Sequence, residues 1–162
     1  MNFIKKMTLA SMVRASLIAA IYAVLAMLLP MFSYGPISFR ASEGLVLLPI
    51  IMPEAIPGLI VGCFIANLGS PFGIIDIVCG TLCTAVAAYL TYKLRHNHFL
   101  AALPPILING FGVSAYLAYF SQEAYLLTAF SVLISEAAVI VSLGLPILYT
   151  VKRLPSFSTI RT

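Results

Sequence analysis

Four apolar runs in this sequence, at residues 10–32, 74–91, 99–120 and 124–151, are each close to the length of a membrane span. About twenty residues rising ~1.5 Å each cover a hydrocarbon core of ~30 Å, so a chain with four such runs has to fold in lipid. The charge content agrees, since 9% of residues are charged and 62% hydrophobic, against about a quarter charged in a soluble domain. Two shorter apolar stretches, 44–53 and 55–68, lie between the first two runs and are joined by Pro53 and Glu54. They read as two short membrane helices or as one re-entrant hairpin, and in either case the chain returns to the side it left. The expected fold is all-α: a polytopic bundle of six transmembrane helices forming one domain over residues 1–162.

Lys5 and Lys6 before the first run imitate a signal peptide. Arg14 interrupts that run, however, and the run exceeds the usual ~7–15 apolar residues of such a signal, so it reads as a retained first helix. On the six-helix map Lys5, Lys6, Arg14, Lys93, Arg95, Lys152, Arg153 and Arg161 share one side, and Arg40 stands on the other. The positive-inside rule makes the populated side the cytoplasm, with both termini there. The net charge of +4 is thus a topology signal rather than a nucleic-acid footprint, which would be a clustered basic patch on a soluble module.

Several chemistries are absent from the pattern. The chain has no G-x-x-x-x-G-K-[ST] phosphate loop, no H-E-x-x-H and no G-x-S-x-G, the motifs that would announce nucleotide, zinc or acyl-transfer chemistry. Cys79 and Cys83 share a helix face at i, i+4, but two thiols without a nearby histidine or carboxylate pair are a poor metal site. They and Cys63 read as small polarizable packing residues. His96 and His98 read as solvated loop residues. No inverted repeat of the secondary-transporter kind is evident either. These features describe a binding or conducting subunit, not an enzyme, and one that needs a partner's energy to move anything uphill.

The acidic residues are Glu43, Glu54, Asp76, Glu123 and Glu136, and Glu123 is the one in an obvious loop. An ionisable group at bilayer depth costs a few kcal/mol, so by default it faces a cavity or a partner. Arg40, Glu43, Asn67, Asp76, Asn109 and Glu136 come from different segments yet all fall in the outer half of the membrane on this map, the layout of a pocket open to the outside. Most of them also have purely structural readings. Arg40 suits a headgroup anchor or a pair with Glu43; Glu43 and Asp76 suit helix N-termini, with Ser38 or Ser42 capping; Asn67 suits a helix end and Asn109 interhelical packing. Glu136, mid-helix beside Ala137 and Ala138, has no such alternative. Glu54 belongs to a cytoplasmic turn if both short stretches span, or to a buried tip if they form a hairpin. Ser11, Ala15, Ala19 and Ala23 form a small-residue stripe at i, i+4, read on spacing as packing inside the bundle, and Gly80, Thr84 and Ala88 form a second inward one.

The blocks "GPISFRASEGLVLLP", "PEAIPGLIVGCFIANLGSPFGIIDIVCGTL", "AAYLTYKLR", "LPPILIN" and "SEAAVIVSLGLPIL" closely resemble the QueT family, substrate-binding S components of energy-coupling factor (ECF) transporters. Ser135 stands where the family pattern leads one to expect glycine. The resemblance implies a six-helix S component of a bacterial cell membrane that captures a queuosine precursor, a 7-deazaguanine derivative. It implies docking on a transmembrane coupling protein, EcfT, served by two cytoplasmic ATPases, with ATP used there and no cofactor in this chain. It also assigns Ala15, Ala19 and Ala23 to the coupling-protein interface, reversing the reading from spacing. For such a ligand, Glu136 or Asp76 would take the guanine-like edge and Arg40 and Glu43 would stand near the mouth. Asn67 and Asn109 would complete the hydrogen bonding, and Tyr34, Phe39, Phe72 and Tyr116 would be stacking surfaces. The competing expectations are an S component for another small metabolite and a stand-alone proton-coupled carrier; a membrane enzyme ranks last.

Overall fold

The computed structural model describes residues 8–28 and 40–153, and every regular element among them is helical. Lys5, Lys6, Tyr34, Ser38, Phe39 and Arg161 lie outside these residues. Six helices follow one another: α1 Leu9–Leu28, α2 Ala41–Ile50, α3 Ala55–Asn67, α4 at 74–93, α5 His98–Ser121 and α6 Tyr125–Lys152. α1, α5 and α6 are long and apolar enough to cross a membrane. The fourth expected span became α4, which carries Asp76, Thr81, Thr84 and Thr91 along its length. The helices alternate in direction, so Arg14, Lys93, Arg95, Lys152 and Arg153 gather at one end, the basic end.

The two short stretches are a helical pair. α2 is wound as a 3₁₀ helix of ten residues, far beyond the three or four usual for that form. At ~2.0 Å per residue it covers about 20 Å, as does α3 with thirteen residues at ~1.5 Å each. Glu54 in the turn between them meets Arg14 of α1, Oε1 to Nε 2.7 Å. The turn therefore reaches the basic end of α1, and Glu54 is a structural ion-pair residue remote from the other buried acids.

α2 is buried from Ser42 through Ile50, packed against α1, α4, α5 and α6. On the outside of it, α1 and α3 run side by side in close contact. A Cβ added to Gly58 would stand 2.6 Å from the Ala15 carbonyl oxygen, and one added to Gly62 would stand 2.9 Å from that of Ala19. The small-residue stripe of α1 is thus matched by a small-residue stripe of α3, and the two backbones meet as small faces allow. Ala15, Ala19 and Ala23 are all buried. In this conformation the stripe packs against α3.

Each of the last three helices contains one π turn, at Asp76–Gly80 in α4, Asn109–Val113 in α5 and Ile140–Gly144 in α6. α5 also holds Pro104 and Pro105. Pro105 has no N–H to give to the carbonyl one turn back at Ala101, and Thr91 Oγ1 of α4 donates to that oxygen instead at 2.9 Å, so the proline is tolerated. Asn97 caps the start of α5 by accepting from the amides of Phe99 and Leu100, and the left-handed Gln122, φ 58°, ends it.

Replacing Gly62 with alanine should destabilise the protein by about 1–3 kcal/mol through overpacking. Gly69→Ala, where an added Cβ meets nothing closer than 3.8 Å, should be close to neutral. Thermal unfolding of the two variants in detergent measures the difference.

Candidate functional site

The residues of α2 that carry charge sit at its start. Arg40 precedes the first turn and Glu43 lies three residues on, which in a 3₁₀ helix of three residues per turn puts both on one row. That row enters the bundle directly, so both side chains are interior rather than at a boundary: Glu43 is 1% exposed and Arg40 9%. Asn67, Asp76, Asn109 and Glu136 are equally buried. The six sequence candidates therefore share an interior position.

Three of them, Arg40, Asn67 and Asp76, are joined through hydrogen bonds. Arg40 Nη2 donates to Asn67 Oδ1 at 3.0 Å, and Asn67 Nδ2 donates to the Asp76 backbone carbonyl at 2.9 Å. Asn67 does not cap its own helix; it ties the end of α3 to α2 and α4. The Asp76 carboxylate accepts from the Tyr116 hydroxyl of α5. Glu43 makes no ion pair with Arg40. It accepts from the Tyr22 hydroxyl of α1 and stands in the first turn of α2, at whose start Arg40 makes no side-chain cap; Ser38 lies outside the described residues. The remaining pair, Asn109 and Glu136, bonds separately across α5 and α6, Nδ2 to Oε1 at 2.9 Å.

Gly80 lets this cluster close. A Cβ there would stand 2.8 Å from both Asn67 Nδ2 and Asp76 Oδ1, so the second inward stripe begins with a residue that makes room for polar atoms. One turn on, Thr84 Oγ1 donates to Cys63 Sγ at 3.3 Å. Asp76 and Asn109 each open a π turn, a form that recurs at functional sites. The extra residue in the turn changes which side chains face inward beyond it.

Several buried polar atoms lack a hydrogen-bond partner among the described residues: Arg40 Nε, Ser42 Oγ and Glu43 Oε2 on α2, and Ser114 Oγ on α5. Native interiors leave few such atoms. Three of them stand at the start of α2, and the buried ionisable groups of the interior are one arginine and three carboxyl groups, Glu43, Asp76 and Glu136. The interior thus has one cation for three acids, and its partnerless atoms include an acceptor, Glu43 Oε2, and a donor, Arg40 Nε. It suits a guest rich in N–H donors that also has a group for arginine to bind. Among the described residues no group of three or more His, Cys, Asp and Glu is placed to hold a metal ion.

One participant was not anticipated: Tyr22, although a phenol three residues after Ala19, on the buried side of α1, is a usable signal. Tyr116, expected among the stacking surfaces, donates a hydrogen bond to the Asp76 carboxylate. Phe72 packs on Phe120, ring centroids 5.8 Å apart.

Residues 12–153 match the QueT transporter family. The queuosine precursor transporter QueT of Lactococcus lactis subsp. cremoris (strain MG1363) is 37% identical over 84 residues, covering 51% of this chain and 49% of that protein. The chain is thus matched over about half the length of that relative. No solved structure matches the chain.

Tyr22→Phe should leave Glu43 without its donor and lower stability by about 1–3 kcal/mol. Tyr119→Phe, at an exposed position, should leave the unfolding midpoint unchanged under the same conditions.

Proposed function

The chain belongs to the QueT transporter family, and from that premise we propose that it is the substrate-binding S component of an ECF importer, taking up a queuosine precursor of the 7-deazaguanine class. The observation that carries this reading is the interior set of three carboxyl groups, one arginine and two asparagines, drawn from α2, α3, α4, α5 and α6. A guanine-like edge presents adjacent N–H donors, which one carboxylate accepts in bidentate fashion. Its carbonyl and ring nitrogen are acceptors for an asparagine amide or for Arg40 Nε. An aminomethyl substituent would bring an ammonium, and the surplus of acids over cations accommodates it. In this assignment Glu136, held by Asn109, takes the donor edge, and Glu43 with its unpartnered Oε2 takes a second donor.

In this reading the protein sits in a bacterial cell membrane, crossing it several times, and the positive-inside rule supports a cytoplasmic basic end with both termini there. Ligand then enters from the end that holds Arg40 and Asn67. Energy comes from EcfT and two ATPases, and this chain binds no cofactor and catalyses no reaction. Since α3 covers the stripe of α1, the α1 surface left for EcfT is the outward row Val13, Leu17, Ala20, Val24 and Met27.

A thermal-shift series on the purified protein tests the ligand. 7-Deazaguanines should raise the unfolding midpoint where tryptophan and common vitamins do not, and Glu136→Gln should weaken the response roughly ten- to hundredfold. Stabilisation by an unrelated vitamin alone would overturn the assignment. Vesicles holding this chain without EcfT and the ATPases should accumulate nothing; uptake that collapses with a proton gradient would make it a self-sufficient carrier instead.

A further inference from the structure

Away from the polar interior, a cavity of about 420 Å³ lies between α5 and α6 near the basic end. Its long walls are apolar: Phe99, Ala102 and Ile106 on one helix face Val141, Leu145 and Tyr149 on the other. From Phe99 to Ile106 it follows α5 for about 10 Å at ~1.5 Å per residue. Its inner limit at Ile140 is the first residue of the α6 π turn. Phe99, Val141 and Tyr149 are more than half exposed, so the slot is open sideways, where a membrane helix meets hydrocarbon.

The other limit of the slot is polar. His96, Asn97 and His98 line it, and Lys152 Nζ donates to His98 Nε2 at 2.8 Å. Lys152 has no carboxylate within ion-pair distance among the described residues; the ion pair found there is Arg14 with Glu54. Arg153 follows it and Arg95 lies in the adjoining turn, its guanidinium 4.3 Å above the Tyr92 ring. An apolar slot open to lipid thus ends at a group of cations with no carboxylate in ion-pair distance among the described residues.

We propose that this slot is a binding site for an anionic phospholipid, with one acyl chain between α5 and α6 and the phosphate on Lys152 and His98. Basic pockets between membrane helices select anionic headgroups by charge. The apolar walls account for the chain, which a soluble anion lacks. An occupant of this kind fills the space between α5 and α6.

The test uses the full chain in phosphatidylcholine nanodiscs doped with phosphatidylglycerol of the same acyl composition, released into detergent and read by native mass spectrometry. One phosphatidylglycerol per chain should be retained in preference to phosphatidylcholine. Lys152→Gln, a change at a helix end, should reduce that retention roughly fivefold without altering retention of phosphatidylcholine. Ala102→Phe, which puts a ring into the slot, should reduce retention of both lipids. Glycerol phosphate should not compete. Equal retention of the two lipids by the native chain overturns the proposal, as does Lys152→Gln retaining phosphatidylglycerol like the native chain. Displacement by glycerol phosphate would make this a site for a soluble anion and would equally overturn it.

Discussion

α2 has no face of its own towards solvent or lipid, and the rest of the structure is arranged around that constraint. A helix enclosed on all sides must have every polar group answered from within the bundle, because unpaired polar groups in a low-dielectric interior cost several kcal/mol. Arg40 and Glu43 enter with it, so α1 has to present Tyr22 and α3 has to end on Asn67. The enclosure also sets sizes. α2 can sit between α1 and α6 because glycine stands at its crossing with α6, where a Cβ on Gly44 would be 3.0 Å from that of Leu143.

The same enclosure explains why the buried acids are not scattered. A carboxyl group in hydrocarbon needs a donor, and each has recruited one from a neighbouring helix: Tyr22 for Glu43, Tyr116 for Asp76, Asn109 for Glu136. Those bonds occupy one oxygen of each carboxyl group. The partnerless atoms at the start of α2, a donor and an acceptor among them, are hydrogen-bonding capacity that the described residues leave unused, unlike a satisfied polar core.

Much of this was legible before the structure. Apolar run lengths gave the helices, and the cost of burying charge singled out Glu136, Asp76 and Glu43. Spacing gave the small stripe of α1 as internal packing; the family resemblance redirected it to a partner, and the geometry returns it to α3. Spacing records that a face is small and is silent about what covers it. Glu54 was undecidable because its partner, Arg14, lies forty residues away in the chain. The 3₁₀ winding of α2 and the three π turns were also beyond reach, since each departs from the 3.6-residue period on which a helix pattern rests. Tyr22 was hidden by its chemistry, a residue common at membrane interfaces and here spent on a buried carboxylate.

The proline pair of α5 bears on biogenesis. A lone α5 in lipid would carry a carbonyl at Ala101 that its own helix cannot satisfy, and the group that answers it, Thr91, belongs to the preceding helix. Four residues, 94–97, separate the two helices. The unit that enters the bilayer comfortably is therefore the α4–α5 hairpin, and translation must deliver both arms before either one is at rest.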